Sequence, residues 1–96
     1  MFVLITYDVN VSSVQGQRRL NRVAKICLDY GQRVQNSVFE CVLTESDFLI
    51  LKDKLIKIID KNLDSIRFYR ISGNWERKID SIGRKTAINV TQPLLV

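Results

Sequence analysis

Asp8 is the side chain whose type and position suggest chemistry most directly in this sequence. It lies near the end of an apolar, strand-like segment at residues 1–9, where a carboxylate is disfavoured and costly to bury without a partner. No histidine occurs among the 96 residues, which excludes Ser-His-Asp triads, Cys-His dyads and histidine-ligated zinc. Catalysis would therefore have to use carboxylates, hydroxyls, cysteine, lysine or a metal ion bound mostly by oxygen.

Three interpretations of Asp8 compete. Its side chain caps the loop that follows, or it pairs with a nearby cation such as Arg33, or it binds a hard divalent cation. One carboxylate per chain is too little for a magnesium site that must also activate water. A metal site would therefore need Asp8 from two chains, with the cation offsetting the repulsion between the carboxylates. The spacing alone favours one of the two structural roles.

The two cysteines, Cys27 and Cys41, lie in apolar contexts. They predict buried thiols in a reducing cytoplasm, not a disulfide or a metal site. No apolar run approaches the roughly 20 residues that span a bilayer, and no basic segment of the signal-peptide type precedes the first strand. We therefore expect a cytoplasmic protein without a membrane partner.

The charge of the chain favours a polyanionic partner. Lysine and arginine number 15 against 10 aspartates and glutamates, a net charge of +5. Arg18, Arg22 and Lys25 recur at helical spacing, with Arg19 beside them. We interpret this stripe as a candidate phosphate-binding surface, the alternative being an ordinary solvated helix face.

Hydrophobic patterning orders the chain as strand, helix, split strand pair, helix and strand. The strands are predicted at residues 1–9, 33–43 and 65–72, the middle one broken at Asn36 and Ser37. The helices are predicted at residues 15–30, ended by Gly31, and from a Thr44 cap to about residue 61. This order predicts a ferredoxin-like β-α-β-β-α-β domain of the α+β class.

The domain is predicted at residues 1–72, followed by a C-terminal extension at residues 73–96. Two helices cover one face of such a sheet, yet the first strand is apolar on both faces. The uncovered face predicts a homodimer packed sheet against sheet, the alternative being that the extension folds back over it. Because side chains alternate along a strand, Asp8 shares that face with Phe2, Leu4 and Thr6. Two Asp8 carboxylates would then approach each other across the dimer.

Four segments closely resemble the CRISPR-associated Cas2 family. They are YDV at residues 7–9, RLNRVAK at 19–25, GQRVQNSVFEC at 31–41 and RFYR at 67–70. The resemblance covers roughly residues 1–72. Asn36 departs mildly from the pattern, since the family often carries an aromatic residue there.

The resemblance implies a small ferredoxin-like homodimer that joins the Cas1 integrase to capture new spacer DNA. Many members have been assigned metal-dependent endonuclease activity on RNA or double-stranded DNA. By that resemblance Asp8 would be the ligand of Mg²⁺ or Mn²⁺, one from each subunit, and Tyr7 would help to shape the catalytic site. Phe39 matches a position linked with site integrity, although a strand aromatic is more often a core residue.

The same resemblance assigns nucleic-acid contacts to basic residues. Arg19, Arg22 and Arg33 match the family positions, and with the helix stripe the predicted set is Arg18, Arg19, Arg22, Lys25 and Arg33. The segment from Ala87 to Val96 is interpreted as an extra C-terminal strand that pairs with the partner subunit. Trp75 would anchor that exchange or pack locally.

Two other functions remain open from the sequence. A dimer of this kind could act as a non-catalytic nucleic-acid-binding scaffold for the integrase, since no histidine or suitably placed glutamate offers a general base. In a catalytic dimer, water or a substrate phosphate would have to accept the proton. A toxin-type endoribonuclease is the third possibility, because some toxin families look similar to this fold.

Overall fold

A computed structural model describes residues 1–83, which form a four-stranded antiparallel sheet and two α-helices. The elements in chain order are β1 (Phe2–Asp8), α1 (Val14–Tyr30), β2 (Gly31–Gln35), β3 (Val38–Val42), α2 (Glu45–Ile56), β4 (Ser65–Ile71) and a 3-10 turn (Trp75–Lys78). The strand order is β2-β3-β1-β4. The predicted ferredoxin-like arrangement is confirmed. The extra strand predicted after Ala87 lies outside the described residues.

Local side-chain caps begin both helices. The Ser13 hydroxyl accepts a hydrogen bond from the Gly16 N–H at 3.0 Å, and the Thr44 hydroxyl accepts one from the Asp47 N–H at 3.1 Å. Helix α1 then passes directly into β2 at Gly31, whose N–H donates to the Cys27 carbonyl. The Ser13 and Thr44 caps determine where each helix begins, and Gly31 determines where α1 ends.

Helix α2 ends earlier than its apolar pattern predicts, at Ile56 and not near residue 61. The chain that follows turns back toward the sheet. The Asp64 carboxylate accepts the backbone N–H of Asp60 at 2.9 Å, and the Asp64 N–H donates to the Asp60 carbonyl at 2.8 Å. A side chain that accepts backbone hydrogen bonds offers the chain an alternative to further helix.

The core lies between the sheet and the helices. Its fully buried members come from β1, α1, β3 and α2: Val3, Ile5, Val23, Cys27, Phe39, Cys41, Leu51 and Leu55. Both cysteines are free and buried, which confirms the prediction of buried thiols. Burial raises the pKa of each thiol to about 12, so neither is a ready nucleophile at neutral pH.

The opposite face of the sheet carries no helix. Val42 and Tyr69 are exposed there, and Leu4 and Thr6 are half-buried. Phe2 is buried because the Trp75 ring stacks on it with centroids 5.2 Å apart. Trp75 therefore packs locally on its own chain.

Neither helix of the described residues is both long and apolar enough to cross a membrane.

Candidate functional site

Asp8 is the last residue of β1 and is exposed. It pairs with Ser65 of β4, and the alternation of side chains along β1 places it on the face without helices. Within residues 1–83 its carboxylate forms no ion pair and no side-chain hydrogen bond. In the loop after β1 it is Asn10, and not Asp8, that forms the local turn. The Asn10 side-chain oxygen accepts hydrogen bonds from the N–H and the hydroxyl of Ser12 at 3.0 and 2.6 Å. Asp8 therefore points outward without a structural task among the described residues.

Tyr7 faces the opposite side of the sheet from Asp8. Its ring is buried and stacks on Phe39 with centroids 6.1 Å apart, and its hydroxyl donates to the Asn36 carbonyl at 3.2 Å. Burial raises the pKa of the Tyr7 phenol, while the neighbouring Arg33 acts in the other direction. Tyr7 is therefore a core residue that lies behind the Asp8 face, and its role in shaping the catalytic site stays a prediction.

Arg33 also lies on the helix side of the sheet. Its guanidinium sits 5.2 Å from the centre of the Phe39 ring, beside Tyr7. Phe39 itself has no exposed surface. Arg33 therefore covers the edge of the core over Phe39 and lies away from the Asp8 carboxylate, with which pairing had been considered.

Arg19 is held in an ion pair with Asp64. Its Nε lies 2.8 Å from Asp64 Oδ2 and its Nη2 3.3 Å from Oδ1, and the side chains are 15% and 0% exposed. The guanidinium thus donates to both carboxylate oxygens. Two of its donor nitrogens therefore serve a buried carboxylate, and the phosphate contact of Arg19 stays a prediction.

The sequence does contain a signal for this placement. Arg19, Val23 and Cys27 follow one another at intervals of four residues, and Val23 and Cys27 are fully buried. Arg19 therefore lies on the inward stripe of α1 and not on the outward one. No local signal marks its partner Asp64, which lies 45 positions away along the chain.

The outward stripe of α1 consists of Arg18, Arg22 and Lys25, all of which are exposed. These three cations form no ion pair with any residue between 1 and 83. They remain the basic residues best placed to bind a phosphate backbone.

The pKa of Asp64 is lowered from its ordinary value of 3.8. Removal from water would raise it, but hydrogen bonds from Arg19 and from the N–H groups of Asp60 and Asn10 outweigh that effect.

This lowered pKa makes the stability of the fold depend on pH. The ionised Asp64 carboxylate contributes stability at pH values above its pKa in the unfolded chain, and that stability is lost as the pH falls through its lower pKa in the folded chain. We expect the free energy of unfolding to fall with acidification below about pH 4, and Asp64→Asn to flatten that fall. Urea unfolding at several pH values measures both. Equal acid slopes for the two proteins would contradict the assignment.

The described residues contain no group of three or more His, Cys, Asp or Glu side chains arranged to hold a metal ion. The donor set that one chain offers at the end of β1 is the single Asp8 carboxylate.

A family model described as CRISPR associated protein Cas2 matches residues 1–79. The chain belongs to the Cas2 family. This match spans β1 with Asp8, the basic helix α1 and the whole sheet.

Curated Cas2 proteins resemble the chain along nearly its whole length. A protein of Halalkalibacterium halodurans named CRISPR-associated endonuclease Cas2 is 50% identical over 95 residues, covering 99% of each chain. A protein of Rhodospirillum rubrum named CRISPR-associated endoribonuclease Cas2 3 is 49% identical over 94 residues, covering 98% of this chain and 99% of that one.

Solved Cas2 structures share the fold. The crystal structure of Streptococcus pyogenes Cas2 at pH 6.5 superposes with a TM-score of 0.75 and 54% identity, covering 86% of this chain and 100% of that chain. A structure titled "Crystal structure of cas2" gives a TM-score of 0.71 at 30% identity, covering 100% and 98%. Both agree with the four-stranded arrangement described above.

Proposed function

We propose that this Cas2 family member is a homodimer that cleaves phosphodiester bonds in RNA or duplex DNA with a divalent metal ion. We further propose that it acts with the Cas1 integrase in spacer acquisition. The observation that carries the proposal is the exposed Asp8 carboxylate at the end of β1. It stands on the sheet face without helices, in a chain about half identical to proteins named endonuclease and endoribonuclease.

The dimer is proposed to form through that sheet face. Exposed Val42 and Tyr69 and half-buried Leu4 form an apolar patch on it, and a second copy would remove this patch from water. Glu40 pairs with Leu4 on the same face, and partial burial already raises the pKa of its carboxyl. Packing of two such faces would bring the Asp8 carboxylates of the two chains toward each other.

Sedimentation tests the dimer. We expect a species of twice the 11.1 kDa chain mass, and Tyr69→Glu should shift it toward the single chain because a charge enters the apolar interface. Leu49→Glu is the matched control, since Leu49 is exposed on α2, away from the sheet. A single-chain species at all concentrations would contradict the interface, as would equal dissociation by the two variants.

Two Asp8 side chains fit the donor preferences of Mg²⁺ or Mn²⁺, which bind carboxylate, carbonyl and water oxygens. A single chain does not, because its donor set is one carboxylate. When bound, such an ion lowers the pKa of water and stabilises charge on a phosphoryl oxygen. In this scheme Asp8 holds the ion, and Arg18, Arg22 and Lys25 bind the phosphate backbone. A base other than histidine, either water or a substrate phosphate, accepts the proton.

The basic stripe gives a prediction for binding. Arg22→Ala should weaken duplex binding and reduce the slope of log affinity against log salt by about 1, because one phosphate contact and its released counterion are lost. Arg19→Ala should leave that slope unchanged, because Arg19 is bonded to Asp64. Lys61→Ala, an exposed lysine beyond α2, is the control. Fluorescence anisotropy at several salt concentrations measures the slopes. An unchanged slope in Arg22→Ala would rule out that contact.

A scaffold without cleavage is the second candidate, and the single carboxylate per chain favours it. Incubation of the purified dimer with RNA and with duplex DNA, in Mg²⁺, Mn²⁺ or EDTA, separates the two functions. Cleavage that EDTA abolishes supports the nuclease. Tight binding without cleavage in any metal supports the scaffold. Membership of the Cas2 family favours both over the toxin-type alternative.

A further inference from the structure

The Asp64 carboxylate is the most extensively bonded buried charge of the described residues. Its side chain has no exposed surface. It accepts from the Asn10 N–H at 3.0 Å and the Asp60 N–H at 2.9 Å, and Arg19 donates to both of its oxygens. One side chain therefore ties together the loop after β1, the turn before β4 and helix α1.

The position of this carboxylate relative to Asp8 is specific. Asp64 directly precedes Ser65, and Ser65 is the β4 residue that pairs with Asp8. Asn10, which donates to Asp64, lies two residues after Asp8. Asp64 therefore fixes the chain of both β1 and β4 just beyond the Asp8–Ser65 pair.

A second contact fixes the same loop. Gly16 is buried on α1, and a Cβ at this position would overlap the carbonyl oxygen of Asn10. The Arg19 Nη2 also approaches that carbonyl, at 3.5 Å. The peptide after β1 is therefore held on one side by Asp64 and on the other by the close approach of helix α1.

From this placement we infer that Asp64 and Arg19 are positioning residues, which hold the end of β1 so that Asp8 is presented for metal binding. The inference rests on the proposed role of Asp8. A ligand needs its backbone fixed to within a fraction of an ångström, and side chains behind a metal ligand commonly affect metal affinity. Asp64 accepts a hydrogen bond from the Asn10 N–H, and Arg19 bonds Asp64 and approaches the Asn10 carbonyl, so these two charged side chains fix the segment after Asp8.

The test compares Asp64→Asn with Asp53→Asn in the full-length protein. Asp53 on α2 forms an exposed ion pair with Lys57, which follows the helix, so its variant also breaks an ion pair, one away from β1. Mn²⁺ binding is measured by calorimetry and by electron paramagnetic resonance, and cleavage by kcat and KM. We expect Asp64→Asn to weaken Mn²⁺ binding about tenfold and to lower kcat, with KM within about twofold. Asp53→Asn should change none of these.

Two further variants approach the same peptide differently. Arg19→Lys keeps the charge but loses the two-pronged contact, and Gly16→Ala displaces the Asn10 carbonyl; each should weaken Mn²⁺ binding in the same direction. They decide the matter if Asp64→Asn does not fold. Folded variants with unchanged Mn²⁺ affinity and kcat would overturn the inference. If Asp8→Asn itself leaves Mn²⁺ binding unchanged, the proposed function fails instead, so the two failures are distinguishable.

Discussion

Replacing Asp8 by asparagine should reduce phosphodiester cleavage by about 100-fold or more. The Asp8 carboxylate is exposed and has no ion pair among residues 1–83, so the change removes a negative charge and breaks no described interaction of the fold. Asparagine keeps the size of the side chain but is a much weaker ligand for a hard cation. The loss should therefore appear in kcat, while thermal stability stays near that of the wild type.

Single-turnover cleavage of RNA and duplex DNA in Mg²⁺ measures this loss, with circular dichroism as the check on folding. Asp53→Asn is again the matched control, since it is an exposed aspartate on another element. Cleavage at the wild-type rate by folded Asp8→Asn would remove Asp8 from the chemistry. The function would then be nucleic-acid binding by the basic surface of α1 without cleavage, as in the scaffold.

Phe39→Ala should lower the free energy of unfolding by about 3–5 kcal/mol. Phe39 has no exposed surface and pairs with the fully buried Ile5 of β1. Its ring stacks on Tyr7 and lies under the Arg33 guanidinium, so truncation leaves a cavity and removes two packing partners at once. The resulting loss is a large part of the stability of a domain this small.

Urea denaturation measures the effect, and Leu49→Ala on the exposed side of α2 is the control, expected to change stability by less than about 0.5 kcal/mol. Phe39→Leu separates a core role from a role in the site. It should fold, lose less stability than Phe39→Ala and cleave at a rate near that of the wild type. A folded Phe39→Leu that has lost cleavage would show that the ring acts on the site and not only in the core.

The order of elements could be predicted because its signals are local. Ser13 and Thr44 cap helices through hydrogen bonds to residues three positions ahead, and the Asn36-Ser37 break falls between two runs of strand-forming residues. The end of α2 could not be predicted in the same way. It depends on Asp64 accepting backbone hydrogen bonds in the turn before β4, and the apolar pattern continues past that point.

For the site, the alternation of side chains along β1 predicts which face of the sheet each residue occupies. Alternation places Asp8 on the face without helices and, by the same rule, places Tyr7 on the other, so any role of Tyr7 in the site acts from behind the strand. The inward position of Arg19 follows from its spacing to Val23. Its bond to Asp64 joins residues 45 positions apart, which no local pattern reveals.

The central claim is that Asp8 from two chains forms one metal site, and the stoichiometry of Mn²⁺ binding tests it most directly. Titration of the purified protein followed by electron paramagnetic resonance should give one tightly bound Mn²⁺ per two chains, and none in Asp8→Asn. One ion per chain, or binding that survives Asp8→Asn, would contradict the account.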